Sequence, residues 1–319
     1  MRIITLGVHV VDVLARPVTE IPDGQGGALI DEIRLTAAGP AGGTALTLAK
    51  LGADVSSAGA IGSDALGDVL LDLLGRAGID TSLLVRRDQV QTSASVLPIR
   101  PDGSRPALHV VGANATYSAN DAPWGEISHA THLHLGAPEF MGGEAAAEIL
   151  SFARRRGVVT SADLLAPGDQ AAEILDWIAP AFEHLDYLLP NEEQILGLAG
   201  TDDLVTGCRT LLDRGVGCVV ATAGAEGAVV VDPDGAAQVP AFAVDVVDTT
   251  GCGDAFSAGF LRGLALERSR PDAATLGCAC AALVATGLGS DHGDFDLSAV
   301  DAFIADTPRL LPTRRHPPS

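Results

Sequence analysis

Apolar positions along the chain follow two periods, and their alternation sets out the architecture. Residues 3–8 (IITLGV) form a short, mainly apolar run, predicting a buried strand that ends near Asp12. Residues 41–51 predict a helix opening on glycines and stopping at Gly52, and a strand follows at 55–61. The clearest helix carries Leu66, Val69, Leu70, Leu73, Leu74 and Ala77 at three- and four-residue spacing, with Asp64 as its cap and Gly78 at its end. Ser95-Val96-Leu97 and Leu108-His109-Val110-Val111 flank the turn signal Arg100-Pro101-Asp102-Gly103, which predicts a β-hairpin set apart from the main sheet. Alternation then resumes, with strands at 131–135, 157–161, 185–189, 217–221 and 227–231 and helices at 143–156, 170–179 and 202–214. Such a pattern implies a mainly parallel sheet with helices on both faces. Towards the end, a strand at 244–247 meets a glycine-rich turn, and the helices Ala255–Leu266 and 272–285 follow, the second rich in Ala, Cys and Gly. The tail 313–319 reads as disordered, and no linker or repeat splits residues 1–312.

Composition narrows the classes. With 319 residues, 47% of them apolar, the chain fits one large α/β domain with a small appendage. Acidic residues outnumber basic ones 41 to 20, for a formal charge of -21, which disfavours nucleic-acid backbones and anionic lipid as partners. Five cysteines without a C-x-x-C pair suit reduced, packed thiols in a cytoplasmic protein. The N-terminal apolar stretch is interrupted by His9 and Asp12 and reads as a strand, not a signal peptide. No apolar run approaches the roughly 18 residues of a membrane helix.

Chemistry concentrates in Asp248-Thr249-Thr250-Gly251-Cys252-Gly253-Asp254. Gly-x-Gly before a helix leaves N–H groups unobstructed at the positive end of the dipole, a place for an oxyanion or phosphate. A carboxylate at Asp254 beside those amides would supply the other half of phosphoryl transfer, a base for the attacking hydroxyl. The local alternative is an ordinary glycine-rich turn with Asp254 as a helix-cap residue.

The whole segment resembles the D-T-x-G-A-G-D signature of the ribokinase-like (PfkB) carbohydrate kinases, with Cys252 where the family usually has Ala. Further motifs resemble the family in the same order. They are Gly42-Gly43 before a helix ending Lys50-Leu51-Gly52, Gly62-Ser63-Asp64-Ala65-Leu66-Gly67, Gly78-Ile79-Asp80-Thr81 and Thr222-Ala223-Gly224-Ala225-Glu226-Gly227. The resemblance implies a three-layer sandwich with a mainly parallel sheet and a small β lid drawn from about 13–38 and 92–116. It implies transfer of the γ-phosphoryl of ATP, with Mg²⁺, to a hydroxyl of a sugar or nucleoside, and a homodimer formed through the lid. Asp254 would be the base, and the amides of Gly251, Cys252 and Gly253 the anion hole. Asp12, Gly42, Gly43 and Thr47 would meet the substrate, and Asn191, Thr222, Gly224 and Gly227 would face ATP. Asp248 and Thr250 would help bind a monovalent cation such as K⁺, near a polar loop at Asp291-His292-Gly293-Asp294.

Three positions depart from the family. Thr47 and Cys278 stand where members usually carry Asn, and Gln194 replaces the acid of N-x-x-E that helps organise hydrated Mg²⁺. The Thr47 and Gln194 changes leave a sugar-sensing pseudokinase as an alternative, which an intact Asp254 argues against. A dinucleotide oxidoreductase lacks its G-x-G-x-x-G, and Lys50 does not follow the Gly of a Walker sequence. His132 and His134 alternate on a strand, and without a third ligand they read as packed side chains. The absence of aromatics from 92–116 favours a plain sugar over a nucleoside, and Arg100 and Arg105 flank the hairpin tip.

Overall fold

A computed structural model describes residues 1–101, 103–165 and 171–310, the side chains of 171 and 172 excepted. Its main sheet has nine strands in the order β13-β12-β11-β10-β9-β8-β1-β4-β5. These are β1 (Arg2–Gly7), β4 (Asp54–Gly62), β5 (Asp80–Arg87), β8 (His132–Gly136), β9 (Val159–Asp163), β10 (Tyr187–Leu188), β11 (Val219–Thr222), β12 (Ala228–Asp232) and β13 (Gly235–Val239). Strands β11 to β5 in that order are parallel, whereas β12 and β13 close the far edge antiparallel.

Side-chain alternation divides the core into two layers. Ile3, Val220 and Val230 enter one apolar cluster with helices α1 (Pro40–Lys50), α2 (Ala65–Arg76), α8 (Cys252–Ala265), α9 (Arg270–Ala285) and α10 (Leu297–Asp306). Ile4, Val219 and Val229 enter the other, with α3 (Trp124–Ile127), α4 (Gly143–Arg154), α5 (Ala171–Phe182), α6 (Glu192–Ala199) and α7 (Leu204–Asp213). Period-two burial on both faces is what a parallel sheet covered twice requires. The predicted cap of α2 is present, with the Asp64 side chain accepting from the Gly67 N–H.

A second sheet runs in the order β3-β2-β6-β7, from β2 (Val10–Arg16), β3 (Glu32–Ala38), β6 (Ala94–Pro98) and β7 (Leu108–Val110). The predicted hairpin is β6 and β7, paired antiparallel, and Asp102 of its turn signal lies outside the described residues. Asp12 corrects the expectation of one strand running on from β1. The backbone leaves the main sheet after Gly7, and Asp12 sits inside β2, paired with Thr36 and Ser95. The small sheet therefore starts at Val10, earlier than residue 13. Its two faces are unlike. Asp12, Thr36, Ser95 and His109 share the inner face, while Ile33, Leu35, Val96, Leu108 and Val110 are exposed on the outer one.

The strand expected at 244–247 is not formed. Val246 and Val247 are exposed, and the Val247 N–H bonds to Ala285 O, so α9 takes the place of a partner strand. Elements β5, β13, α6 and α10 were not expected. The predicted tail at 313–319 lies outside the described residues.

The small residues of α8 and α9 bring two backbones together. A methyl on Gly259 would stand 2.7 Å from Gly277 Cα, so neither helix has room for it. Helix propensity favours Ala over Gly by about 1 kcal/mol, whereas overpacking costs about 1–3 kcal/mol. Gly259→Ala is therefore expected to lower the unfolding free energy in urea. A stabilised variant would show that the two helices can separate freely.

Candidate active site

The functional side chains collect at the C-terminal edge of the parallel strands, where open α/β sheets bind ligands. Asp163 ends β9, Asn191 follows β10 and Thr222 ends β11. Two helix N-termini converge on the same edge, those of α1 and α8.

At the head of α8, Gly251 holds φ +74° and a Cβ there would lie 2.6 Å from Ser290 Cα, so the position excludes any side chain. The Cys252 N–H makes a long bond to Thr249 O at 3.3 Å. The N–H groups of Gly251 and Gly253 have no acceptor among the described residues, as the first turn of a helix leaves them. Asp254 follows at once, its carboxyl seated against α1. A Cβ on Gly43 would fall 2.1 Å from Asp254 Oδ2, so Gly43 is the space the carboxyl occupies. Burial, and then the charge of Asp12, push the Asp254 pKa up to about 7. The thiol of Cys252 turns away towards α9, 3.5 Å from Ala281 O, and burial pushes its pKa up to about 12.

A cavity beside these groups is lined by Asp12, Arg105, Asp163, Asn191, Asp254 and Ser290, with Gly251 and Gly253 at its floor. Burial pushes Asp12 up to about 6, although Ser95 and Arg105 pull it down. Asp163 is raised well above the usual carboxylate range by burial and then by Asp254, against hydrogen bonds from the Leu164 N–H and the Ser257 hydroxyl. Three carboxyls thus crowd one space, each disfavouring ionisation of the next.

An apolar cleft adjoins it, sharing Thr222, Thr249 and Gly253. Gly224 and Gly227 border one side, Phe242 and Val244 another, and Cys278, Ala281 and Ala285 of α9 the third. Its walls offer shape and apolar contact but few polar groups.

Not every expected residue arrives. Gly42 packs on the His9 ring instead of the cavity, with 3.4 Å from its Cβ position to the ring. Thr47 is fully buried and its Oγ1 has no partner. It lies four residues and about 6 Å along the helix axis from Gly43 and is not among the residues that line the cavity. Gln194 also takes a structural part. Its side chain accepts from the Asn191 N–H in a capping box, and its Nε2 donates to Leu164 O at 2.9 Å. A glutamate could not make that second bond. His134 is packed, its Nδ1 against Ser161 Oγ, and no metal-binding cluster occurs among the described residues.

The corner of Asp248 and Thr250 does not fit an added cation. Asp248 Oδ1 accepts from the Thr250 N–H, the Thr250 hydroxyl and Arg105 Nε, and Oδ2 accepts from the Gly289 N–H. A metal ion would have to displace a guanidinium 3.0 Å away. Asp163, Arg105 and Ser290 are site residues that sequence reasoning missed in these roles. The carboxylate of Asp163, just past a predicted strand end, was the available signal.

The profile of the pfkB family of carbohydrate kinases matches residues 6–294. The chain is 29% identical to an ATP-dependent ribose-1-phosphate kinase of Halopiger xanaduensis over 306 residues, 96% of this chain and 99% of that one. It is 26% identical to a ribokinase of Haemophilus influenzae over 266 residues, 77% of this chain and 80% of that one. Its fold matches a ribokinase of Thermotoga maritima with TM-score 0.80 at 24% identity, covering 96% of this chain and 99% of that one. It also matches a ribokinase of Arabidopsis thaliana complexed with ribose and ATP, with TM-score 0.81 at 21% identity over 95% and 98%.

The crowded carboxyls predict a stability effect with a definite sign. A carboxyl with a raised folded pKa binds more protons folded than unfolded. Its stabilising contribution is complete below the unfolded value of about 4 and lost as pH rises through the folded value. For Asp254 that loss is centred on about 7. Asp254→Asn is expected to melt above wild type at about pH 8, with the difference shrinking at about pH 5. Equal melting temperatures at both pH values would mean that Asp254 ionises freely.

Proposed function

The chain belongs to the pfkB family of carbohydrate kinases, and from that premise we propose that it transfers the γ-phosphoryl of ATP to a hydroxyl of an unphosphorylated sugar. The observation that carries this reading is the Asp254 carboxyl wedged against Gly43 beside the unpaired amides of Gly251 and Gly253. In the proposed reaction the adenine enters the apolar cleft by Cys278 and Ala281, and the triphosphate runs past Thr222 and Asn191. Those amides receive charge that develops on the transferring group, while Asp254 takes the proton of the attacking hydroxyl. Mg²⁺, which neutralises phosphate charge, would meet Asn191 and otherwise be held by phosphate and water, since Gln194 offers no carboxylate. Asp12 of the small sheet would accept hydrogen bonds from hydroxyls that do not react. The small sheet is the proposed lid, and its closure over the cavity would exclude water as a competing acceptor.

The cavity favours a neutral polyol. Asp12, Asp163 and Asp254 offer an anionic substrate no positive charge, and Arg105 is committed to Asp248 and Thr249. No aromatic side chain lines the cavity among the described residues, which disfavours stacking of a nucleoside base. A sugar already carrying a phosphate is the second reading, favoured by the presence of Arg105 in the lining. Initial rates with pentoses, hexoses, nucleosides and ribose 1-phosphate separate these readings. The expected result is turnover with a neutral sugar, a fall of at least about 10²-fold in Asp254→Asn, and rates that drop as pH falls below about 7. Near-normal turnover in that variant would remove Asp254 as the base. Preferred use of ribose 1-phosphate, lost in Arg105→Ala, would establish the second reading.

The outer face of the small sheet supports association of two copies. Ile33 is 68% exposed and Leu108 65%, an apolar face of the sort that oligomers cover. Light scattering is expected to give a dimer for wild type and a monomer for Leu108→Lys. A monomeric wild type would leave the face without this partner.

A further inference from the structure

Lys50, the one lysine of the chain, ends α1. A lysine in that position ordinarily extends into water beside the helix C-terminus. This one turns inward. Its Nζ lies 2.8 Å from Asp291 O, 2.8 Å from His292 O and 2.6 Å from Gly293 O, with the Phe295 ring centroid at 4.8 Å. An ammonium has three donors and no acceptor, so the three carbonyls use it fully. Three successive carbonyls turned to one point make a cation site, and the cation in it is part of the chain.

The loop so held reaches the reacting groups in two steps. The His292 N–H bonds to Gly289 O, and the Gly289 N–H bonds to Asp248 Oδ2 at 3.0 Å. Between them Ser290 lies against Gly251, its hydroxyl buried without a partner and its residue lining the substrate cavity. Arg34 of β3 adds a second hold, through Leu288 O and the Asp291 carboxylate, each at 2.9 Å. The same loop is where the resemblance suggested an added monovalent ion, and Asp248 is already saturated by protein donors.

We propose that Lys50 is a positioning residue for phosphoryl transfer, its ammonium fixing the 287–293 loop against the Gly251 turn so that the enzyme needs no added monovalent cation. The proposal rests on the kinase reading above. Its consequence is specific to charge and geometry. Without the ammonium, three carbonyls face one another across an empty space, the loop relaxes, and Gly251 and Ser290 shift relative to Asp254. Misplacement on that scale costs catalysis far more than it costs folding.

The test has two arms on the full chain. In the first, wild-type rates are compared in potassium, sodium and tetramethylammonium chloride at equal ionic strength. They are expected to agree within about twofold, and stimulation of about tenfold or more by potassium would overturn the proposal. In the second, Lys50→Ala is expected to lose at least about tenfold in kcat with a smaller change in KM for ATP, and Lys50→Arg or added ammonium ion to restore part of it. Wild-type kcat in Lys50→Ala would overturn the proposal equally. Deuterium exchange of the 287–293 amides gives a readout independent of turnover. It is expected to be slow in wild type whichever salt is present, and fast in Lys50→Ala. A chain that phosphorylates no sugar in any salt would instead defeat the kinase reading, leaving exchange to judge Lys50. If Lys50→Ala does not fold, the wild-type salt series and exchange still decide the matter.

Discussion

The site depends on one carboxylate that takes no part in the proposed chemistry. Asp248 has a side chain only 2% exposed, and its oxygens receive four hydrogen bonds from three separate segments. The Thr250 donors shape the turn ahead of α8, the Gly289 amide brings in the loop after α9, and Arg105 comes from the hairpin of the small sheet. A buried charge with that many partners tolerates the loss of any of them poorly. Its presence therefore links three pieces of backbone that no regular element joins. The amides of Gly251 and Gly253 are held out to the cavity because Asp248 fixes the turn from below and Ser290 fills the space behind.

A second constraint sets stability against function. Asp254 sits where its ionised form is disfavoured. It is pressed into the room left by Gly43, near Asp12 and Asp163, and its proton is held more tightly than in water. A base poised near neutrality is what general-base catalysis asks for, and the same crowding makes the ionised form unfavourable to the fold. The departures from the family divide along this line. Gln194 is absorbed into a capping box and a bond to Leu164 O, and Thr47 into burial, its hydroxyl without a partner. The groups around Asp254 are unaltered except at Cys252, whose side chain points to α9.

How much of this was legible in the sequence varied with the range of the interactions. The helix α2 and the hairpin followed from local spacing and turn residues, and both formed as expected. The Gly-x-Gly-Asp turn was legible because its amides and carboxyl are neighbours in the chain. The apolar residues at 244–247 misled, since a short apolar run records burial or contact without saying which partner provides it; here α9 bonds the backbone and two valines stay exposed. Asp12 was read on the right side of the site but on the wrong sheet, because nothing local marks the break at Gly7. Asp163, just past a predicted strand end, and Arg105, at the hairpin tip, were in view but not read as cavity residues. Each becomes part of the cavity only through contacts with residues more than ninety positions away, Ser257 for one and Asp248 for the other.

The small sheet explains why those distant contacts take the form they do. Its inner face is mixed, with Asp12, Thr36 and Ser95 set among the buried Val10, Leu14, Ala38 and Leu97, while Ile33, Leu35, Val96 and Leu108 are exposed on the outer one. That inner face meets the main domain by apolar burial at two places, Val10 and Ala38 against Ala137, and Leu14 and Leu97 against Leu288. Discrete polar contacts add to these, Arg105 to Asp248 and Arg34 to Leu288 O and Asp291. Such contacts are directional and exchange with water at modest net cost, unlike a packed apolar interface. The Arg105 contact ends on the carboxylate that fixes the glycine turn ahead of α8, so the hairpin and that turn are set by the same group.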